Sequence, residues 1–260
     1  MTSPKIDTVK KGGSRFYLDP VDPTLRVPGV TSVLNMLPKP FLKWWAAKVV
    51  AETAVDNVGT VVQMMLSGER QGAIDFLKKS PDRFTGKAAD MGTEVHDLIE
   101  KLARGEKIGR VHPDVKPYLD GWRAFNEEFA PEYLFVEETV WSNTYGYAGS
   151  FDAIVKINGE TIMLDNKTTR SGVHEEVALQ MAAYINADHI LNADGTTTPL
   201  PAMSGAAVLH LRPEATKLIP VAVNDELFEA FKALLAVWKY DTQTKRGVVG
   251  KPIGTWNQEV

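Results

Sequence analysis

The chain has 260 residues, no cysteine and a net charge of −4, with 44% hydrophobic and 24% charged residues. The lack of cysteine excludes disulfides, thiolate zinc sites, cysteine-ligated iron–sulfur clusters and cysteine nucleophiles, and the negative charge excludes a general electrostatic attraction to nucleic acid. The composition is that of a globular protein with a sizeable core. No apolar run is long enough for a membrane span or a signal-peptide core, so we expect a cytoplasmic protein with no membrane partner.

The chain begins with a polar stretch that contains Gly12 and Gly13. This stretch predicts a flexible N-terminus over residues 1–14, followed by a single domain over residues 15–260. Short strands are predicted around residues 15–18 and 25–27. A helix with a serine or threonine cap is predicted to begin near Val30 and to end where prolines follow.

The next stretch, from Phe41 to Met65, is strongly helical in character, with a break expected near residues 57–59. Its large side chains are expected in the core, although an aromatic ring could instead stack on the end of a DNA strand. These side chains are Trp44, Trp45, Met64 and Met65.

An amphipathic helix is predicted over residues 88–104, because apolar residues recur there at spacings of three and four. His96 lies at the edge of this apolar stripe. Gly92, one turn earlier on the same side, leaves room for a group close to the helix backbone. Gly105 ends the helix, and another helix is predicted over residues 117–129.

The second half of the chain alternates strands and helices. Strands are predicted over residues 133–141, on both sides of an Asn158-Gly159 turn, and over residues 206–211 and 217–223. A crossover helix is predicted between these strands, to about Ala187, and a capped helix opens at Asn224. This order predicts an α/β or α+β fold with a central mixed sheet flanked by helices and a helical N-terminal region.

The Asn158-Gly159 turn fixes the pairing of the strands beside it. A two-residue type I′ turn pairs Ile157 with Glu160, and counting back along the strands pairs Ala153 with Leu164. The same count places Asp152 opposite Asp165, with the two Cβ atoms about 5 Å apart on the other face of the sheet.

Lys167 lies on that face as well, two residues beyond Asp165. Two facing carboxylates repel each other, so a bound hard divalent cation is the expected reason for placing Asp152 opposite Asp165. The Lys167 ammonium beside the cation could position or activate a water molecule. Each residue alone also has an ordinary explanation, such as a surface salt bridge between Lys167 and Asp165.

Four motifs in order give the sequence a family resemblance. They are His96 on a helix, Gly149-x-x-Asp152, Asp165-x-Lys167 and Gln180-x-x-x-Tyr184. In this order the chain resembles the RecB-like branch of the PD-(D/E)xK nuclease superfamily, and in particular its phage-encoded exonucleases, from about residue 15 to 240. The resemblance implies a restriction-endonuclease-like core and cleavage of DNA phosphodiesters that depends on Mg²⁺ or Mn²⁺.

The resemblance also implies roles for individual residues. His96, Asp152, Asp165 and the backbone carbonyl of Asn166 would bind the cation, and Asp152, Asp165 and Lys167 would form the catalytic set. Gln180 and Tyr184 would brace the site and contact the substrate backbone. Many relatives carry four cysteines that hold an iron–sulfur cluster, and this chain has none.

Other charged residues are less clearly assigned. Either Glu137 or Glu138, on the strand before the hairpin, could be an accessory acid. Four cations are candidate phosphate contacts, although a solvated surface charge is the simpler expectation for each: Lys39, Lys43, Lys48 and Arg170. Four histidines without a partner pattern are expected to be structural: His112, His174, His189 and His210.

The first functional hypothesis is therefore a metal-dependent DNA nuclease, most simply an exonuclease in phage DNA recombination, repair or processing, located in the bacterial host cytoplasm. The second is a catalytically idle nucleic-acid-binding module on the same scaffold. The third is a structural metal-binding or interaction domain with Ca²⁺ between the acids. DNA is the expected partner, and a homo-oligomer or a recombination partner protein stays open.

Overall fold

The computed structural model of the protein describes residues 5–256, without the side chains of residues 87 and 88. A three-stranded sheet precedes the main sheet and consists of β1 (Thr8–Lys11), β2 (Ser14–Leu18) and β3 (Arg26–Pro28). The main sheet has seven strands: β4 (Glu132–Ser142), β5 (Tyr147–Ile157), β6 (Glu160–Lys167), β7 (His189–Leu191), β8 (Thr197–Thr198), β9 (Gly205–Leu211) and β10 (Thr216–Val221).

Helices occupy most of the first half of the chain and cover the main sheet. They are α1 (Val30–Leu34), α2 (Phe41–Asp56), α3 (Val58–Leu66), α4 (Arg70–Lys78), α5 (Ser80–Ala103), α6 (Lys116–Phe129), α7 (Glu176–Ile185) and α8 (Asp225–Lys239), and a π-helical turn over Tyr240–Thr244 continues α8.

The main sheet is mixed, with the strand order β10-β9-β6-β5-β4-β7-β8. The β6–β9 pair is parallel, as the crossover through α7 requires, and the other neighbouring pairs are antiparallel. The predicted fold class, a mixed sheet flanked by helices with a helical N-terminal region, is confirmed.

The hairpin between β5 and β6 has the predicted register. Asn158 and Gly159 have φ angles of 52° and 88°, and such a pair of left-handed residues is what a type I′ turn needs. Ile157 pairs with Glu160 and Ala153 pairs with Leu164. The turn chemistry alone therefore sets which residues of the two strands lie side by side.

The two faces of this hairpin belong to two hydrophobic clusters. Ala153 and Leu164 face a cluster that includes Val95 of α5 and Leu119 of α6. Ile154 and its partner Met163 belong to a second cluster, which also contains buried residues of α1, α7 and α8. Because both faces are covered, the strands β5 and β6 are held firmly at the centre of the molecule.

The N-terminal hairpin was not expected from the sequence. Residues 1–4 of the predicted flexible segment lie outside the described residues, whereas Thr8–Lys11 pairs with β2 as a regular strand. Gly12 and Gly13 both have positive φ and form the turn, and Ile6 is buried against Tyr17. Because the segment is mostly polar, neither the Gly12-Gly13 turn nor the buried Ile6 was recognised in the sequence.

The helices α2, α3 and α4 make their main contacts with one another and with α5. The break predicted near residues 57–59 lies at Asn57, between α2 and α3. The expectation of a core position is wrong for Trp44, which is 72% exposed, and for Met65, which is 49% exposed. The apolar residues of α2 are not confined to one side of the helix, so periodicity could not indicate whether the face carrying Trp44 is covered.

Among residues 5–256, no helix combines the length and the apolar character needed to cross a membrane.

Candidate functional site

A cavity of about 310 Å³ opens beside the last residues of β6. It is bounded by α1, β2, β4, β5, β6, α5, α7 and the segment 169–174. Six of the residues selected from the sequence line this cavity: His96, Asp152, Asp165, Lys167, Gln180 and Tyr184. A second, more open concavity of about 410 Å³ lies on the outer side of α5 and is lined by none of these six. The structure therefore brings together side chains that are up to 88 positions apart (96 to 184) in the chain.

Asp152 reaches from β5 towards the end of β6. The regular pairing of the two strands ends at Ala153 and Leu164, so Asp152 and Asp165 lie one step beyond the paired residues. The Oδ2 atom of Asp152 accepts a hydrogen bond from the backbone N–H of Asn166 at 2.6 Å and lies 3.5 Å from Nδ1 of His96. These contacts fix one carboxylate oxygen in the lining of the cavity.

Asp165 is held by Lys167 at the base of the cavity. The Lys167 ammonium lies 2.9 Å from Oδ1 and 2.7 Å from Oδ2 of Asp165, which is only 6% exposed. Burial raises the pKa of Asp165 above its ordinary value; Lys167 opposes this effect and Asp152 adds to it. Burial also acts to lower the pKa of Lys167, but the carboxylates of Asp165 and Asp152 outweigh it and raise that pKa. Lys167 is therefore a cation at neutral pH.

One of the two glutamates left open by the sequence lies in this site. Within the described part of the chain, one group of three or more His, Asp or Glu residues has ligand atoms all within 4.8 Å of one another, and its members are His96, Glu137 and Asp152. Glu138 instead forms an ion pair with Lys5. The sequence could not separate the two acids, because both belong to the same predicted strand.

The backbone of β4 explains why Glu137 points to the cavity. The pairing of β4 with β5 passes from Val136–Ala153 to Glu138–Phe151, which leaves Glu137 opposite Asp152. Glu137 has a φ of 50°, in the left-handed region that costs a residue with a Cβ about 1–2 kcal/mol. The surrounding sheet imposes this conformation, and no local sequence pattern announces it.

Tyr184 and Gln180 form the wall of the cavity on α7. The Tyr184 hydroxyl accepts a hydrogen bond from Nε2 of Gln180 at 2.9 Å, and Tyr184 is 3% exposed. Its ring lies directly against Gly149, where a Cβ atom would come within 2.4 Å of Cε1. Burial raises the pKa of Tyr184 well above its ordinary value, so this side chain remains a neutral phenol. Gly149 therefore allows α7 to approach the strand that carries Asp152.

The segment after β6 is fastened to its neighbours. Arg212 donates a hydrogen bond to the carbonyl of Thr168 at 3.2 Å, and Nε2 of His210 lies 2.8 Å from the carbonyl of Thr169. The space predicted beside Gly92 is filled by the Thr168 side chain, since a Cβ at Gly92 would lie 3.2 Å from its Oγ1 atom. His210 thus has the structural contact expected of it.

Sequence reasoning missed several residues of the lining, among them Arg15, Tyr17 and His174. Arg15 lines the cavity, and within residues 5–256 no carboxylate lies within 4.0 Å of its guanidinium. Tyr17 lines it as well, and its hydroxyl accepts a hydrogen bond from the Ser150 backbone N–H at 3.1 Å. His174, expected to be structural, lines the cavity and stacks on Phe41 with ring centroids 6.4 Å apart. No motif signals these residues, because the fold alone brings β2 and the segment 169–174 to the site.

The lysines proposed as phosphate contacts differ in their surroundings. Lys39 forms an ion pair with Glu176 of the cavity lining at 2.8 Å, and Lys48 pairs with Glu52 at 3.6 Å on the outside of α2. The Lys43 ammonium lies 5.6 Å from the ring centroid of the exposed Trp44. Of these three lysines, Lys39 is therefore the one that forms an ion pair with a residue of the cavity lining.

Comparisons with known proteins give little information. No protein-family model and no curated protein matches the sequence. Among the solved structures that match, one described as the crystal structure of SSO0001 aligns with 79% of this chain and 88% of its own length, at 10% identity and a TM-score of 0.32. A likeness at this level carries no argument about fold or function.

Proposed function

We propose that the protein is a divalent-cation-dependent deoxyribonuclease of the RecB-like type that hydrolyses phosphodiester bonds. The observation that carries the proposal is the meeting of Asp152, Asp165, Lys167 and His96 in one cavity beside β6. The buried Asp165 and the half-buried Asp152 carry two negative charges in one cavity, and Lys167 supplies only one positive charge. A divalent cation bound by these groups would supply the rest.

The residues present fit such a cation. Asp152, Asp165 and the carbonyl of Asn166 offer oxygen ligands, which hard ions prefer, and His96 offers one imidazole nitrogen, which moves the preference somewhat towards Mn²⁺. When bound, the cation would screen the charge of the phosphodiester, acidify water and offset charge on the leaving oxygen.

Lys167 has the charge and position for a direct part in the hydrolysis. Its ammonium is fixed by Asp165 and remains protonated, so it can orient a water molecule and stabilise negative charge that develops on the phosphate. Asp165 holds Lys167 in this position. Tyr184 and Gln180 support the opposite wall, from which they can contact the sugar–phosphate backbone.

Arg15 in the cavity, and Trp44 with Lys43 on α2, suit a DNA strand. Arg15 offers a guanidinium with no carboxylate within 4.0 Å among the described residues, and guanidinium groups bind phosphates well. Trp44 is exposed beside Lys43, an arrangement in which a base can stack on the ring while the ammonium contacts the backbone. Exonuclease action in phage DNA processing, in the bacterial cytoplasm, belongs to the same proposal, as does DNA as the partner.

The direct test is incubation of end-labelled linear DNA and closed circular DNA with Mg²⁺ or Mn²⁺, with a chelator as the control. We expect cation-dependent degradation of the linear substrate, and protection of the circular one if the mode is exonucleolytic. Asp165→Ala and Lys167→Ala should abolish cleavage. The exposed ion pair of Lys116 and Asp120 on α6 gives matched controls. Asp120→Ala and Lys116→Ala should leave DNA cleavage intact. Folded wild-type protein that cleaves with neither ion would refute the proposal.

The idle binding module and the Ca²⁺-stabilised domain have distinct outcomes in this assay. DNA binding without turnover under every cation would support the former, and cation-dependent stabilisation without DNA affinity would support the latter. The intact Asp165–Lys167 pair in the cavity favours the nuclease over both.

A further inference from the structure

We infer that Glu137 is a further ligand of the divalent cation, beside His96 and Asp152. The inference deepens the proposed function, on which its catalytic meaning rests. Cation binding itself can be measured without DNA, so the two can fail separately.

The distances support three ligands from three separate elements. The ligand atoms of His96 in α5, Glu137 in β4 and Asp152 in β5 all lie within 4.8 Å of one another. Two atoms that bind the same Mg²⁺ at about 2.1 Å can be at most about 4.2 Å apart, so modest side-chain rotations close this set around one ion. Asp165 is not a member of this group, and Lys167 holds its carboxylate.

The burial of the group points to a cation rather than to a solvated acidic surface. Glu137 is 9% exposed, and its carboxylate lies within 4.8 Å of that of Asp152. Like charges at this distance repel strongly when water is largely excluded.

A separate observation comes from Asp165, which lines the same cavity. Both of its carboxylate oxygens lie close to the Lys167 ammonium, Oδ1 at 2.9 Å and the buried Oδ2 at 2.7 Å. An ionised carboxylate has about four lone-pair sites. Oδ2 can therefore contact an ion or an ion-bound ligand in addition to Lys167 and the three ligands.

The backbone conformation of β4 favours a role for Glu137 as a cation ligand. Its left-handed conformation turns the side chain to the cavity, while the next residue, Glu138, pairs with Lys5. The strand thus presents two adjacent glutamates in different surroundings. This difference supplies a matched pair of variants, Glu137→Gln and Glu138→Gln, that remove one charge each without changing side-chain volume.

The experiment is a titration of Mn²⁺ into the full-length protein without DNA, followed by the electron paramagnetic resonance of the free ion. We expect Glu137→Gln to raise the Kd for Mn²⁺ at least tenfold and Glu138→Gln to change it less than twofold. Glu137→Asp, which keeps the charge on a shorter side chain, should give an intermediate Kd. Circular dichroism in chelator checks that each variant is folded.

The inference is overturned if Glu137→Gln, or Glu137→Asp where the former does not fold, binds Mn²⁺ as the wild type does. It is equally overturned if Glu138→Gln weakens binding as much. Weak Mn²⁺ binding by Glu137→Gln in a protein that cleaves no DNA would uphold the ligand assignment and refute the nuclease proposal. If the wild type cleaves DNA but Glu137→Gln binds Mn²⁺ as the wild type does, the nuclease proposal stands and the ligand assignment is refuted.

Discussion

Replacement of Gly149 by alanine tests how closely α7 must approach the strand that carries Asp152. A Cβ atom at this position would lie 2.4 Å from Cε1 and 3.2 Å from Cζ of Tyr184, and 3.2 Å from Cγ2 of Val30. Ordinary carbon contacts are 3.4 Å or longer, so the Tyr184 ring would have to move by about 1 Å (3.4 − 2.4). Tyr184 is buried on all sides, so this movement must displace α7 as well.

The size of the effect follows from the tightness of the contact. Extra atoms forced into a well-packed core cost about 1–3 kcal/mol, and two sides of the new methyl group are blocked here. We expect Gly149→Ala to lower the free energy of unfolding by about 2 kcal/mol, measured by urea denaturation. Cation-dependent cleavage should fall too, because the wall formed by Tyr184 and Gln180 moves away from Asp152.

A double-mutant cycle separates the clash from other effects of the methyl group. Tyr184→Leu keeps an apolar side chain but removes the ring atoms that Gly149 touches, while the Val30 contact at 3.2 Å remains. Gly149→Ala should therefore cost about 1 kcal/mol or less in that background. Gly205→Ala, at the start of β9 with no atom within 4 Å of its Cβ position, is the control and should change stability by at most about 0.5 kcal/mol. An equal cost of Gly149→Ala in both backgrounds would refute the reasoning.

Three further predictions concern other parts of the site. Because burial raises the pKa of Tyr184 well above 10, the unfolded state releases its phenolic proton first and stability falls as the pH rises above 10. Tyr184→Phe should reduce the loss of unfolding free energy between pH 9 and 11 by about 1 kcal/mol in urea denaturation. Trp44→Ala should leave stability unchanged but weaken the binding of single-stranded DNA by about 1–3 kcal/mol, measured by fluorescence anisotropy in chelator. Gly92→Ala should improve helix propensity by up to about 1 kcal/mol yet slow cleavage, because its methyl group would press on Thr168, next to Lys167.

Each of these has its own control. Equal losses of stability at high pH in wild type and Tyr184→Phe would contradict the first. Val55→Ala removes another exposed apolar side chain of α2, and a loss of DNA affinity as large as that of Trp44→Ala would show that stacking is not the cause. Gly86→Ala, in the same helix as Gly92 but with no atom within 4 Å, should leave cleavage unchanged; a matching loss of activity there would exclude the Thr168 contact.

The order of elements and the central hairpin could be predicted from the sequence. The hairpin register was available because a two-residue turn of Asn158 and Gly159 permits a single pairing. The N-terminal hairpin was missed, since polar residues concealed its Gly12-Gly13 turn. The exposure of Trp44 was missed for a different reason: the apolar residues of α2 are not confined to one side, so the covered face could not be deduced.

The candidate site was predicted in part. Motif spacing selected His96, Gln180 and Tyr184, and the structure places all three beside Asp152 and Asp165. Their roles as ligands and supports stay predictions. Glu137 could not be distinguished from Glu138, because the distinction depends on an unusual backbone angle and on the partner strand. Arg15 carried no signal at all, since its neighbours in space lie far along the chain.

The sequence by itself determined which residues of the β5–β6 hairpin stand together, since a tight turn couples positions only a few residues apart and leaves no freedom of register. Only the tertiary structure decided which groups from β2, β4, α5 and α7 complete the site around them. Those contacts depend on how the helices pack against the sheets. This packing is a property of the whole buried core rather than of any local sequence pattern.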